Sequence, residues 1–317
     1  MKSGNSAYYI KKLAGLLATL LLITLLSFIA FSVIPGDAAI LKLGTNASEE
    51  QLNALRKEMG LDRNVVLRYF IWLGHALTGN FGTSSYYNRP VSSLIMEKLP
   101  TTLLISLFAL ILVVVISIPL SLISMRKENG IFDRLSKAGS RVMMSIPSFF
   151  LGILIILLFG FHFKVFRIGG FIAPGKNFAA FLGFAFFPAL AIALPKACQT
   201  MIFLRTNLIK ELNKDYVKTL RAEGVSRGRI LLRHALKNAM LPTLTFIGLV
   251  AAELLAGSVI IEQVFSIPGM GRLLVQSISS RDYNVTQAIV LYIGCLVVII
   301  NFAVDMLYRK FDPTVKV

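Results

Sequence analysis

Between Lys98 and Arg126 the chain carries no charged residue. A buried core helix does not need so long an uncharged run, because one of its faces can stay wet. A bilayer does need it: a hydrocarbon slab about 30 Å thick takes roughly 20 apolar residues at 1.5 Å of rise each. The run at 99–125 has counterparts at 13–34, 142–163, 178–204, 238–261 and 283–304. Only 15% of the residues are charged and 56% are hydrophobic, whereas a soluble domain carries roughly a quarter charged residues. The expected fold class is therefore an all-α integral membrane protein with six transmembrane helices.

The first span follows a basic start (Lys2, Lys11, Lys12), as a signal peptide would. Its apolar run is longer than the roughly 7–15 residues of a cleavable leader, and no A-x-A site closes it, so an uncleaved helix is expected. Residues 35–98 mix acids, bases and turn residues and read as a folded insert. Within it a helix is expected over 48–59, opened by a capping box between Ser48 and Gln51 with Leu52, Leu55 and Met59 at helical spacing. Gly79-Asn80-Phe81-Gly82 reads as a turn.

Loop charge sets the orientation. The stretches 1–12, 126–141, 205–237 and 305–317 hold 3, 5, 9 and 3 Lys/Arg, against 7, 3 and 2 in 35–98, 164–176 and 263–282. Long inserts vote weakly in this rule, so both termini are expected in the cytoplasm and the 35–98 insert outside. The same bias accounts for the net charge of +17 without invoking nucleic acid.

Enzymatic readings find little support. Gly170 to Asn177 nearly fits G-x-x-x-x-G-K-[ST], but Asn177 replaces the Mg²⁺-binding hydroxyl and Pro174 removes a backbone amide that a phosphate loop needs. His75, His162 and His234 are scattered, and Cys198 and Cys295 lie in apolar runs, so no catalytic or metal constellation is expected. Two ionisable residues interrupt the spans, Lys196 in the fourth and Glu253 in the fifth. Charges placed there are costly and usually face a cavity or a partner, so both are candidate pathway residues that line the route or pair with each other. Pro119, Pro147, Pro188 and Pro195 are candidate kinks.

The 205–237 stretch holds the most distinctive pattern. Asn213 or Asp215 can cap a short helix whose apolar side is Tyr216, Val217 and Leu220, and Gly224 suits its left-handed terminator. Ser226 can cap a second helix, basic at Arg227, Arg229, Arg233 and Lys237, that leads into the fifth span. On physics alone this elbow is either a solvated basic loop or a rigid knob for a partner's socket.

The run from Asp215 to Pro242 resembles the EAA loop of ATP-binding-cassette (ABC) importer permeases, in particular the dipeptide/oligopeptide/nickel branch. Ile34-Pro35-Gly36-Asp37 is similar to the end of that family's first helix. Gly257 to Leu273, Arg281-Asp282-Tyr283 and Asp312-Pro313 are similar to its last outer loop and tail. The chain departs from the general pattern: Lys218-Thr219-Leu220 stands where the consensus has Glu-Ala-Ala, His234-Ala235-Leu236-Lys237 where it has I-x-L-P, and Ile267 where the family has Trp.

The resemblance implies a type I permease fold, with a permease domain at about 95–310, in a bacterial-type cytoplasmic membrane. It implies that Asp215, Tyr216, Val217, Thr219, Leu220, Arg221, Ala222, Glu223, Gly224, Arg229 and Arg233 form an ATPase-coupling surface. Glu262, Phe265, Pro268, Gly269, Gly271, Arg281 and Asp282 are candidates for docking a binding protein. The implied partners are a second homologous permease in a heterodimer, two ABC ATPase subunits that use ATP and Mg²⁺, an extracytoplasmic solute-binding protein and the lipid bilayer, with no nucleic acid. The chain itself is expected to bind no cofactor and no metal and to catalyse no reaction. Peptides are the default cargo for this branch, nickel or a metal–chelator complex the alternative, and a secondary carrier or channel the remote one.

Overall fold

The computed structural model describes residues 3–33, 47–58 and 62–311. The Ile34–Asp37 motif, Met59, Asn46 and Asp312-Pro313 lie outside the described residues. Helices α1 (Ser3–Val33), α2 (Glu49–Glu58), α3 (Val65–Leu77), α4 (Val91–Arg126), α5 (Ile131–Ser145) and α6 (Ser148–His162) come first. They are followed by α7 (Phe178–Leu212), α8 (Asp215–Ala222), α9 (Arg227–Val264), α10 (Met270–Ser279) and α11 (Tyr283–Phe311). Among the described residues the only strand-like pairing is an isolated bridge between Thr83 and Pro90. Among the described residues five helices are long and apolar enough to cross a membrane, or six if the bent pair α5–α6 is one span.

The span expected over 142–163 falls on that pair, which is broken beside the candidate kink Pro147. Its two halves meet at 99°. The cause is local: Ile146, which precedes a proline, is extended (φ −88, ψ 122), and Pro147 caps the next helix without being able to continue the last. Helix α5 also inverts the usual amphipathic rule. Asp133 and Ser140 are buried, while Ile131, Leu135 and Val142 are exposed.

The chain divides into two compact units, residues 1–100 with 273–298, and residues 101–272 with 299–317. In the first, Thr24 and Tyr69 share a 2.9 Å hydroxyl hydrogen bond, and Phe28 packs on Tyr69 and Trp72 at ring-centroid distances of 5.5 and 5.8 Å. The box predicted at the start of α2 is present: Gln51 N–H donates to Ser48 Oγ (3.3 Å), and Ser48 N–H donates to Gln51 Oε1 (3.1 Å). Gly79 and Gly82 both adopt φ +75, as the turn requires.

In the second unit α7 and α9 form the main seam. Ala185, Ala189, Ala193 and Ala197 are fully buried on α7. Their i, i+4 spacing makes a smooth stripe that lets a neighbouring backbone come close, which is how membrane helices gain dispersion energy where lipid supplies no hydrophobic drive. Ile192, Val250, Leu254 and Ile261 complete this core with Ile105, Ala109 and Val113 of α4. Near Asn177, the decoy phosphate loop has a structural role: the Asn177 side chain accepts from Ala180 N–H at 3.0 Å and caps α7.

Candidate functional site

The elbow is built from the ends of α7 and α9 with α8 between them. The structure makes Lys214, not Asn213 or Asp215, the N-cap of α8. Asp215 instead sits in the first turn, where a carboxylate suits the helix dipole, and pairs with Lys218 at 2.7 Å. Val217 is fully buried among Leu208, Leu212, Ile230, Leu231 and Ala239, with Tyr216 and Leu220 packed against the same cluster. Gly224, at φ +80, turns the chain: its N–H donates to Arg221 C=O at 3.0 Å, and Val225 N–H donates to Leu220 C=O at 3.0 Å. Ser226 stands at the next N-cap without a side-chain cap bond. Residues Ile230–Ala235 then form a π-turn before α9 continues.

One face of this elbow is locked and the other is open. Asp215, Lys218, Thr219, Arg221, Ala222, Glu223, Gly224, Arg229 and Arg233 are all exposed. The lock includes Glu211, which the sequence reading missed. Its carboxylate accepts from Lys214 Nζ (2.5 Å), Tyr216 OH (3.1 Å) and Asn238 Nδ2 (3.5 Å), so one side chain ties α7, α8 and α9 together. Burial pushes the Tyr216 hydroxyl up from its ordinary value, which keeps it a donor. A second missed anchor is Asp133. Arg205 grips it with a two-pronged fork (Nε 2.6 Å, Nη2 2.7 Å), and Ser124, Asn129 N–H and Lys137 complete its shell. In sequence each is an unremarked acid beside basic residues, and nothing local announces the contact.

Lys196 and Glu253 are brought together. Lys196 Nζ donates to the Glu253 carboxylate across the α7–α9 seam. The side chains remain 30% and 51% exposed, so the pair lies on an open face of its unit. A separate cleft of about 510 Å³ opens between α4, α9 and α11, walled by Leu103, Leu107, Leu241, Leu244, Ala251 and Val304. Among the described residues no charged side chain lines it. Among the described residues no group of His, Cys, Asp and Glu is arranged to hold a metal ion.

The candidates in the 262–282 loop are mostly interior. Glu262 is fully buried. Its carboxylate accepts from Thr102 Oγ1 (2.6 Å), Gly271 N–H (2.7 Å) and Arg272 N–H (3.2 Å), while Thr102 Oγ1 accepts from Met270 N–H at 2.8 Å. Glu262 thus caps α10 from another helix, where unpaired amides and the dipole favour an acid. Gly269 and Gly271 leave room for it: a Cβ on Gly269 would collide with the Glu262 carboxylate, and one on Gly271 would collide with the Val259 backbone and crowd Glu262 at 3.0 Å. Phe265 is in the core.

Within the other unit, Asp282 is 1% exposed and accepts from Ser84 Oγ (2.5 Å) and Tyr86 N–H (3.2 Å), anchoring the 83–90 loop at the start of α11. Glu262, Phe265, Gly269, Gly271 and Asp282 are buried within the chain, and the side chains of Glu262, Phe265 and Asp282 serve its own packing and hydrogen bonds. Arg281 is exposed and Pro268 half-buried.

The sequence matches the family described as binding-protein-dependent transport system inner membrane component over residues 117–317, and the N-terminal region of such membrane components over residues 6–107. It is 36% identical to the dipeptide transport system permease protein DppB of Lactococcus lactis subsp. cremoris, covering 98% of this chain and 99% of the relative. It is 34% identical to the oligopeptide transport system permease protein AppB of Bacillus subtilis, and 34% identical to a putative peptide permease protein of Brucella suis. Both alignments cover 98% of this chain and 99% of the relative.

Proposed function

This chain belongs to the binding-protein-dependent transport system inner membrane component family, and from that premise we propose that it forms half of the pathway of an ATP-driven peptide importer. The peptide assignment is supported by the dipeptide and oligopeptide systems named for its relatives. The single observation that carries the mechanism is the elbow: a short helix with one face packed into the ends of two long helices and the other wholly exposed.

In this reading α8 seats in a groove on a separate ATPase subunit. Two ATPases hold and hydrolyse ATP with Mg²⁺, and this chain binds no cofactor of its own. As they close, the force on α8 passes into α7 and α9 through Val217 and the Glu211 cluster, and the pathway alternates between inward- and outward-facing states. Rigid transmission suits such a two-state switch, since packed elements shift as units rather than deforming continuously. A second, homologous permease supplies the other half, in a heterodimer. A solute-binding protein delivers cargo to the outer side, where Arg281 and Pro268 remain available for contact. Both termini then lie in the cytoplasm and residues 35–98 outside.

The test is uptake of radiolabelled tri-alanine into proteoliposomes containing the complete complex. Accumulation is expected only with ATP and the binding protein present. Accumulation by this chain alone, without ATPase subunits, would sink the reading.

A further inference from the structure

Lys196 is the only charged residue between Lys176 and Arg205, and Glu253 the only one between Lys237 and Glu262. Within the apolar run 178–204 of α7, about 27 Å of helix precedes Lys196 and about 12 Å follows it, which places the pair inside the span. Their ion pair is neither buried in the chain nor at a helix end, where a long side chain can snorkel to water. Acyl chains are a costly neighbour for such an exposed pair, so this face meets water, a polar ligand or a partner chain.

The surroundings fix how the pair is presented. On one side Gly257 sits against Ile192, where a Cβ would meet that side chain at 3.5 Å. On the other, about two helical turns away along both helices, Phe203 and Phe246 stack at 4.4 Å. The seam is thus closed above and below the pair. On α9, Leu249 and Ile260, each 51% exposed, flank Glu253 with apolar walls. A full positive charge and a full negative charge stand side by side between unselective walls.

We propose that the Lys196–Glu253 pair is an exchangeable binding site for the two ends of a zwitterionic peptide, Glu253 receiving the α-ammonium and Lys196 the α-carboxylate. The inference rests on the peptide-importer reading. Peptides differ in side chains but share their termini, so a pathway serving many of them gains by reading the ends alone. In the empty state the two charges neutralise each other, and no lone ion is left within the span. In the loaded state each is paired again, so occupancy trades one set of ion pairs for another. Such a site holds cargo weakly, as a conducting pathway requires. The apolar cleft walled by Leu103 and Val304 offers neither charge.

The test uses the complete complex in proteoliposomes, with tri-alanine, N-acetyl-tri-alanine and tri-alanine amide, each at a concentration that saturates the binding protein. The double variant Lys196→Met/Glu253→Gln removes both charges without stranding either. It is expected to lower tri-alanine uptake by about tenfold or more while binding-protein-stimulated ATP hydrolysis stays within about twofold. Glu253→Gln alone should raise uptake of the N-acetylated peptide relative to tri-alanine by about fivefold, and Lys196→Met should do the same for the amide. Wild-type uptake by the double variant overturns the proposal. So does loss of uptake and ATP hydrolysis together, or failure of all three variants to assemble, because each marks a purely structural pair. A wild-type complex that takes up no peptide fails at the earlier reading instead, before the variants are compared.

Discussion

The elbow at 213–226 and the loop at 262–282 look alike in sequence. Each joins two long helices, carries an acid near a helix start and contains glycine. Folded, they are opposites. In the loop, Glu262 and Asp282 are buried to 0% and 1% exposure, and their oxygens are used up by hydroxyls and backbone amides of the chain itself. In the elbow, the side chains of Asp215 and Lys218 stay 94% and 74% exposed, while Val217, Leu220 and the Glu211 cluster hold the helix down. A region that satisfies its own polar groups fixes a shape. One that leaves them in solvent, on a firmly held helix, presents a surface.

That contrast can be broken by substitution, and the largest effect should come from the loop. Gly271→Val drives a side chain into the Val259 backbone and Glu262, and is expected to cost more than about 3 kcal/mol. Membrane yield and thermal melting of the purified complex should both fall. Next, Glu262→Ala leaves the amides of Gly271 and Arg272 and the Thr102 hydroxyl without their acceptor, for a loss of about 3 kcal/mol. ATP hydrolysis per folded complex should nevertheless stay normal. If hydrolysis per folded complex falls with stability, the loop is part of the drive and the contrast is wrong.

The elbow should behave in reverse. Gly224→Ala forces a Cβ into φ +80, where open space surrounds it, so the cost is only the backbone penalty of about 1–2 kcal/mol. Melting should shift a few degrees while ATP-dependent uptake drops severely, because the exposed face is re-aimed. Equal losses of stability from Gly224→Ala and Gly271→Val would erase the distinction. The smallest change comes from Lys218→Ala. An exposed pair with Asp215 contributes about 0–1 kcal/mol, so melting should not move. Any fall in uptake then reports contact with a partner, and wild-type uptake removes Lys218 from the contact surface.

Much of this architecture was legible because the periodicities are local. The uncharged runs announced the spans, Ser48 and Gln51 announced a helix start, and Gly224 announced a turn that only a residue without Cβ enters cheaply. The elbow's apolar side, Tyr216, Val217 and Leu220, followed from helical spacing within one short segment. The mid-span charges at Lys196 and Glu253 were visible as anomalies for the same reason: lipid tolerates few of them.

What sequence could not supply was the partner of each polar group. Whether Glu262 faced outward or inward depended on Thr102, far away along the chain, and Asp282 depended likewise on Ser84. Asp133 and Glu211 passed for ordinary loop and helix-end acids until Arg205, Tyr216 and Asn238 closed around them. The break at Pro147 was visible as a proline, but its 99° angle was not. The amino-acid sequence determined that this chain spans a membrane and where its elbow lies, because hydrophobic length and helix termination are properties of neighbouring residues. The tertiary structure alone decided which charges are anchors and which are offered outward. Burial and hydrogen bonding are settled by residues that meet only after folding.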